Sequence, residues 1–306
     1  MPNILEKKIL KTIKYFDIFD YFLTDREIYQ NLFQVDKHIK FQEVLGVLNI
    51  LVKQKKIVYK YAVYSFPGKE KLVEASRRKD WIWKKKLVKA KRSVRILSKI
   101  PFLDAVFLCN QFFISTGEES DIDVLIVARK NRIWFVRFFS LLLMAIFRQR
   151  IQGDIVKDKI CLSFFCTEDS LDFSSLMIEK DIYFAYWILH LYCLFDENNI
   201  SLKLQKQNRQ IFEEDFPFGI KNYGLKDRYF VKNNSFILFI KKILEFIFAS
   251  KIGDLFQLFL KKWQLKKLKK KGIPFETEDA SFVVSDSILK FHENDRRKLY
   301  RDIYEG

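Results

Sequence analysis

Three apolar runs of strand length, LDAVFLC (103–109), SDIDVLIVA (120–128) and KICLSFFC (159–166), constrain this chain more than any other feature. A helix-patterned segment, RIWFVRFFSLLLMAIFRQR (132–150), separates the second from the third. Strands that alternate with helices around one core form an α/β sheet, so the middle of the chain is expected to carry one. Pro101 closes the preceding helical segment, because a residue ahead of proline is pushed out of the helical region, and the first strand follows at once.

The flanks read differently. Residues 4–16 set Ile4, Leu5, Ile9, Ile13 and Phe16 near a helical period, which predicts an amphipathic helix. Next, Thr24 and Glu27 form a capping box, and Leu23 with Ile28 supplies the accompanying hydrophobic staple, so a second helix should start at Asp25. A third, over 41–56, leads into the β-rich IVYKYAVYSF (57–66). Three helices and a small ribbon follow the order of a winged-helix module. Its third helix opens on Phe41, Gln42 and Glu43, which offer little for reading bases.

From residue 180 onward the pattern is helical: DIYFAYWILHLYCLFD, NSFILFIKKILEFIFA and GDLFQLFLKKWQLKKLKKK, the last stopped by lysines, Gly272 and Pro274. The Phe, Leu and Lys of that helix suit either packing on the other C-terminal helices, the preferred expectation, or a membrane surface. A short strand, SFVVSD, and a helix beginning near Asn294 complete the tail. The expected organisation is a winged-helix-like module over 1–68, an α/β domain over 69–178 and a helical region over 179–306.

With 49% apolar residues, 16% aromatics and 32 Phe, the chain has ample surface to bury against the entropy of ordering. The net charge of +17 suits a polyanionic partner such as nucleic acid, nucleotide or anionic lipid, although a lysine-rich codon bias gives the same sum. Residues 69–100 concentrate that charge in Lys84, Lys85, Lys86, Lys89, Lys91, Arg92 and Arg95, expected as a solvated helix face. Cys109, Cys161, Cys166 and Cys193 form no CxxC pair and read as free thiols of a reducing compartment. His38, His190 and His292 are too scattered to suggest a metal cluster. The first residues lack an uninterrupted apolar core, and the apolar stretches 133–147 and 236–248 fall short of the ~20 residues of a span, so a cytoplasmic chain without a membrane span is expected.

One chemical motif stands out. Residues two apart on a strand share a face, so Asp121 and Asp123 should present their carboxylates side by side with Ile122, Val124 and Ile126 behind them. Adjacent carboxylates repel unless a cation sits between them, and oxygen ligands suit Mg²⁺ or Mn²⁺. Metals so held can bridge a triphosphate and stabilise in-line displacement at phosphorus.

The Ser-Asp-Ile-Asp sequence followed by an apolar strand resembles the nucleotidyltransferase superfamily whose prototype is DNA polymerase β. More widely, YFDIFDYFLT, IPFLDAV, SDIDVLIV, KICLSFF and VVSDSILKFHENDRR are similar to an uncharacterised bacterial family of nucleotidyltransferase-domain proteins. The resemblance implies a nucleotidyltransferase-like mixed sheet, Asp121 and Asp123 as catalytic metal ligands, and NTP as substrate with an unspecified acceptor. It also places the triphosphate-binding turn, with Ser120 close by, on Cys109 and Asn110, where the superfamily has Gly-Ser. The third carboxylate of the superfamily would lie on KICLSFFC, which holds none; Ser163 is its only hydroxyl, and Asp158, Glu168 and Asp169 flank it. Three readings follow: an active enzyme moving a nucleoside monophosphate to a hydroxyl; an inactive fold binding nucleotide, nucleic acid or protein; and DNA recognition by the N-terminal module.

Overall fold

In the computed structural model the described residues are 2–305 except 110–116, 152, 154, 222, 223, 226 and 294. The chain begins with α1 (Pro2–Asp17), α2 (Asp25–Gln30) and α3 (Phe41–Lys53), followed by the antiparallel pair β1 (Val58–Lys60) and β2 (Val63–Ser65). The capping box forms as read: the Thr24 hydroxyl accepts from the Glu27 amide at 3.2 Å, and the Glu27 carboxylate accepts from the Thr24 amide at 2.8 Å. Leu23 and Ile28 are both buried beside it. The long basic helix α4 (Val73–Leu97) then leads to a six-stranded mixed sheet.

Across the sheet the order is β6 (Tyr192–Asp196), β3 (Leu103–Leu108), β4 (Ile122–Ala128), β5 (Ile160–Thr167), β8 (Ile288–Phe291) and β7 (Phe282–Val284). Only β4 and β5 run parallel, joined by α5 (Ile133–Ile146); every other neighbouring pair is antiparallel. Successive residues of a strand face opposite sides, and here both sides are covered. Phe107, Leu125, Val127 and Phe164 enter a core shared with α1, α2, α3, α6 (Ile182–Leu189), α7 (Ile200–Gln207) and α10 (Arg297–Glu305). Val106, Val124, Ile126 and Phe165 enter a second core with α4, α5 and α9 (Lys251–Lys270). That double burial is why these strands read as unbroken apolar runs.

Three expectations change. DIYFAYWILHLYCLFD is not one helix: α6 ends at Leu189, and Tyr192–Asp196 becomes β6, paired antiparallel to β3. A fully buried apolar run carries no period that separates helix from strand. The tail adds not one strand but two, since ILKF follows SFVVSD as β8 and docks on β5. The preferred packing of the last long helix on its C-terminal neighbours is also incomplete. α9 lies chiefly on α5, where Trp263 meets Phe138 at 5.6 Å and the Gln264 amide donates to the Trp134 carbonyl at 2.8 Å, while α8 (Ser235–Phe248) touches it through Phe248 and Phe256.

The stop of α9 holds as read. Gly272 takes φ +69°, a left-handed value that glycine adopts without strain, and the Gly272 and Ile273 amides return to Lys269 and Leu268. No described helix is long and apolar enough to cross a membrane. All four cysteines are free, with Cys109, Cys166 and Cys193 buried and Cys161 half-buried.

Candidate metal centre

Strand pairing builds the site. Cys109 donates its amide to the Asp123 carbonyl at 3.0 Å from one side, and Ile122 donates to Lys159 at 2.8 Å on the other, which clamps the start of β4 between its neighbours. Parallel register then sets Asp123 opposite Cys161. Asp121, one residue ahead of the strand, projects to the same place: one carboxylate oxygen from each aspartate and the Cys161 Sγ all lie within 4.8 Å of one another. The expected side-by-side carboxylates are therefore present, half-buried, with Ile122, Val124 and Ile126 packed behind.

The electrostatics are those of a site short of positive charge. Burial first, and the like charge of Asp123 second, push the Asp121 carboxyl up to about 6; the Cys161 thiol and Lys86 act against the rise. Burial, with the negative charge of Asp123 next, drives the Cys161 thiol upward, so it stays protonated and serves as a hydrogen-bond donor. Two half-buried carboxylates in this contact form a donor set for a hard divalent ion, whereas a protonated thiol supports them without acting as a thiolate ligand.

The flanking carboxylates are engaged elsewhere. Asp158 pairs with Lys86 at 3.3 Å and with Lys89, and these partners hold it below the usual carboxylate range against the opposing effect of burial. Glu168 pairs with Lys203 at 2.8 Å, and Asp169 with Lys130 at 2.9 Å, both past the far end of β5. The position on β5 nearest the aspartates is thus held by Cys161 rather than by a third acid.

Of the other expected site residues, Ser120 donates its hydroxyl to the Gly117 carbonyl at 3.0 Å, while its own carbonyl accepts from the Asp158 amide and from Lys86 Nζ. The Cys109 side chain is buried in the core with Phe107 and Leu125. Asn110 lies outside the described residues.

Two residues enter the site that sequence reasoning missed. Lys86, expected on a solvated face, is only 4% exposed because the turn over 117–120 folds across α4 and takes its ammonium. His292, read as isolated, shares with Asp123 a cleft of 370 Å³ that Lys290, Arg296 and Tyr300 also line. Antiparallel pairing of β8 with β5 carries the tail there, and nothing in the local spacing of HENDRR signals it. Burial, then the neighbouring Lys290, holds His292 below its ordinary range, so its imidazole is neutral. Arg297 beside it is tied down by Asp181 at 3.0 Å and Asp295 at 2.8 Å. Arg296 is exposed and makes no ion pair among the described residues.

No protein-family model, curated protein or solved structure matches this chain.

Proposed function

We propose that the protein binds a nucleoside triphosphate through a divalent cation held by Asp121 and Asp123, and transfers the nucleoside monophosphate to an acceptor hydroxyl. The observation that carries this reading is the convergence of the two carboxylates beside an open cleft with cationic walls. A bound Mg²⁺ or Mn²⁺ would relieve the repulsion that raises Asp121 and would supply Lewis-acid neutralisation of phosphate charge. Asp121 and Asp123 hold that ion; Lys86, behind Asp121, stabilises its ionised form and orders the turn that carries Ser120. Arg296 is placed to meet phosphate oxygens at the cleft, and the neutral His292 can accept a proton there.

A second reading has its own support. Cys161 stands where a third carboxylate would position or deprotonate the attacking hydroxyl, which favours a protein that binds Mg²⁺-NTP without turnover. Calorimetric titration of each NTP with Mg²⁺ tests both. Metal-dependent binding that disappears in Asp121→Asn/Asp123→Asn supports the site, and release of pyrophosphate with a labelled acceptor then separates enzyme from binding module. Equal NTP binding by the double variant and the parent removes both readings. Nucleic-acid recognition through the basic surface would instead show steep weakening with salt, unchanged by those two substitutions.

A further inference from the structure

A second groove exceeds the cleft at Asp123 in volume. It runs between α5 and α9, has a volume of 850 Å³, and reaches β5 at Cys161, Leu162 and Ser163. On that side β5 pairs with Arg150 at Ile160 and with β8 from Phe164 onward, so among the described residues 161–163 form a gap in the sheet edge. Most of its apolar lining is aliphatic, with Leu141, Leu142, Ala145, Ile151, Leu162 and Ile273, while Phe138, Trp263 and Phe291 add aromatic rings.

Its walls carry positive charge without counter-charge. Arg137, Arg150, Lys267, Lys270 and Lys271 line it, and no carboxylate pairs with any of them among the described residues. Arg137 is the informative member. Its Nη1 donates to the Gln264 side-chain carbonyl at 2.6 Å and its guanidinium lies 5.0 Å from the Phe291 ring centroid, but its Nε is buried with no partner. Burial, then the like charge of Arg150, brings the guanidinium down to about 10. Two arginines on one wall repel, and one anion between them offsets both charges.

We propose that this groove binds an anionic amphiphile, its phosphate or carboxylate head held by Arg137 and Arg150 and its alkyl chain laid along the aliphatic floor. The charge selects an anion, and the floor selects the chain: an aliphatic surface gains from burying methylenes, and the rings that line the groove are engaged with protein groups, Trp263 with Phe138 and Lys267 and Phe291 with Arg137. The volume lies in the range of ligand sites that bury most of a drug-sized molecule. The site is separate from the nucleotide reading and stands without it, although Cys161 belongs to both the groove and the aspartate cluster.

The test is calorimetry of the full chain with butyl, hexyl and octyl phosphate below their micelle concentrations, beside inorganic phosphate, octanol and a single-stranded oligonucleotide. Affinity should rise about fourfold per methylene from butyl to octyl phosphate, the ratio expected from about 0.8 kcal/mol per buried methylene. Octanol should bind at least tenfold more weakly than octyl phosphate. Arg137→Gln should weaken octyl phosphate about tenfold, and Arg150→Gln supplies the same test if the first variant fails to fold. Leu142→Asp, at a position 40% exposed and so tolerant of a polar side chain, should abolish the chain-length dependence. Asp121→Asn/Asp123→Asn should leave octyl phosphate binding unchanged, which distinguishes this site from the metal centre. Inorganic phosphate binding as tightly as octyl phosphate, an oligonucleotide binding the groove in preference to it, or octyl phosphate binding indifferent to both arginine variants would each overturn the proposal.

Discussion

The first and the penultimate long helices, α1 and α8, look alike in sequence and end in opposite environments. In α1 the apolar side is shut from Ile9 onward, beyond an Ile4 that is 68% exposed: Ile9, Ile13 and Phe16 are buried, Tyr15 stacks on Tyr186 at 4.2 Å, and Phe16 meets the same ring edge-on at 5.3 Å. In α8 the apolar side faces out, with Phe236 70%, Phe239 62% and Phe246 84% exposed. The fully buried residue of α8 is Lys241, whose ammonium donates to the Leu103 carbonyl at 2.7 Å and to Glu197. Amphipathic period therefore reports that a helix has an apolar stripe, and says nothing of what covers it. α1 is covered because α6 and α10 return to it, whereas α8 is pinned beside the sheet by two ion pairs, Lys241 with Glu197 and Glu245 with Arg129 at 3.0 Å.

Four measurements test that contrast, beginning with the largest expected effect. Phe16→Ala should destabilise the protein by about 3–5 kcal/mol in urea unfolding, the cost of emptying a well-packed aromatic site. A loss under about 1 kcal/mol would mean that the α1 face is not closed.

The same junction holds His190, whose ring nitrogen lies 2.9 Å from the Tyr186 carbonyl and whose pKa is lowered to about 4 by burial. A histidine depressed in the folded state takes up its proton more readily when unfolded. Its contribution is thus complete above about 6.5 and is lost as the pH falls toward about 4, amounting to about 3 kcal/mol over that window. Urea midpoints collected across the window for parent and His190→Gln check it: the variant should lose that part of the slope, and identical slopes would place the titration elsewhere.

At the open helix, Lys241→Met keeps the length of the side chain but leaves the Leu103 carbonyl and Glu197 without their donor. The expected cost is about 2 kcal/mol. An unchanged stability would show that α8 is held by its other contacts instead, the Glu245 pair with Arg129 among them. Smallest of all, Phe246→Ser should change stability by less than about 0.5 kcal/mol, as for an exposed position away from any special feature. A cost approaching that of Phe16→Ala would erase the distinction between the two helices.

Local chemistry makes much of this molecule legible from its sequence. The Thr24 and Glu27 capping box, the lysine and Gly272 stop of α9, and the β4, α5, β5 order all depend on groups within a few residues of one another, and each forms as read. The pairing of Asp121 with Asp123 belongs to the same class, since alternation along one strand suffices to bring them together. What escaped was the identity of every neighbour supplied from a distance. Cys161 meets the aspartates through interstrand register, Lys86 is buried by the turn that folds over it, and His292 arrives only because β8 pairs with β5. β6 was hidden for a related reason: YCLFD is buried on both sides, and a segment without a polar face shows no period to read. Sequence alone thus determined the apolar stripes, the caps and the acid pair, because those interactions act over a few residues. Tertiary structure decided which stripes are covered and which charges meet, because contacts between residues far apart in the chain follow from register and topology, which no local spacing encodes.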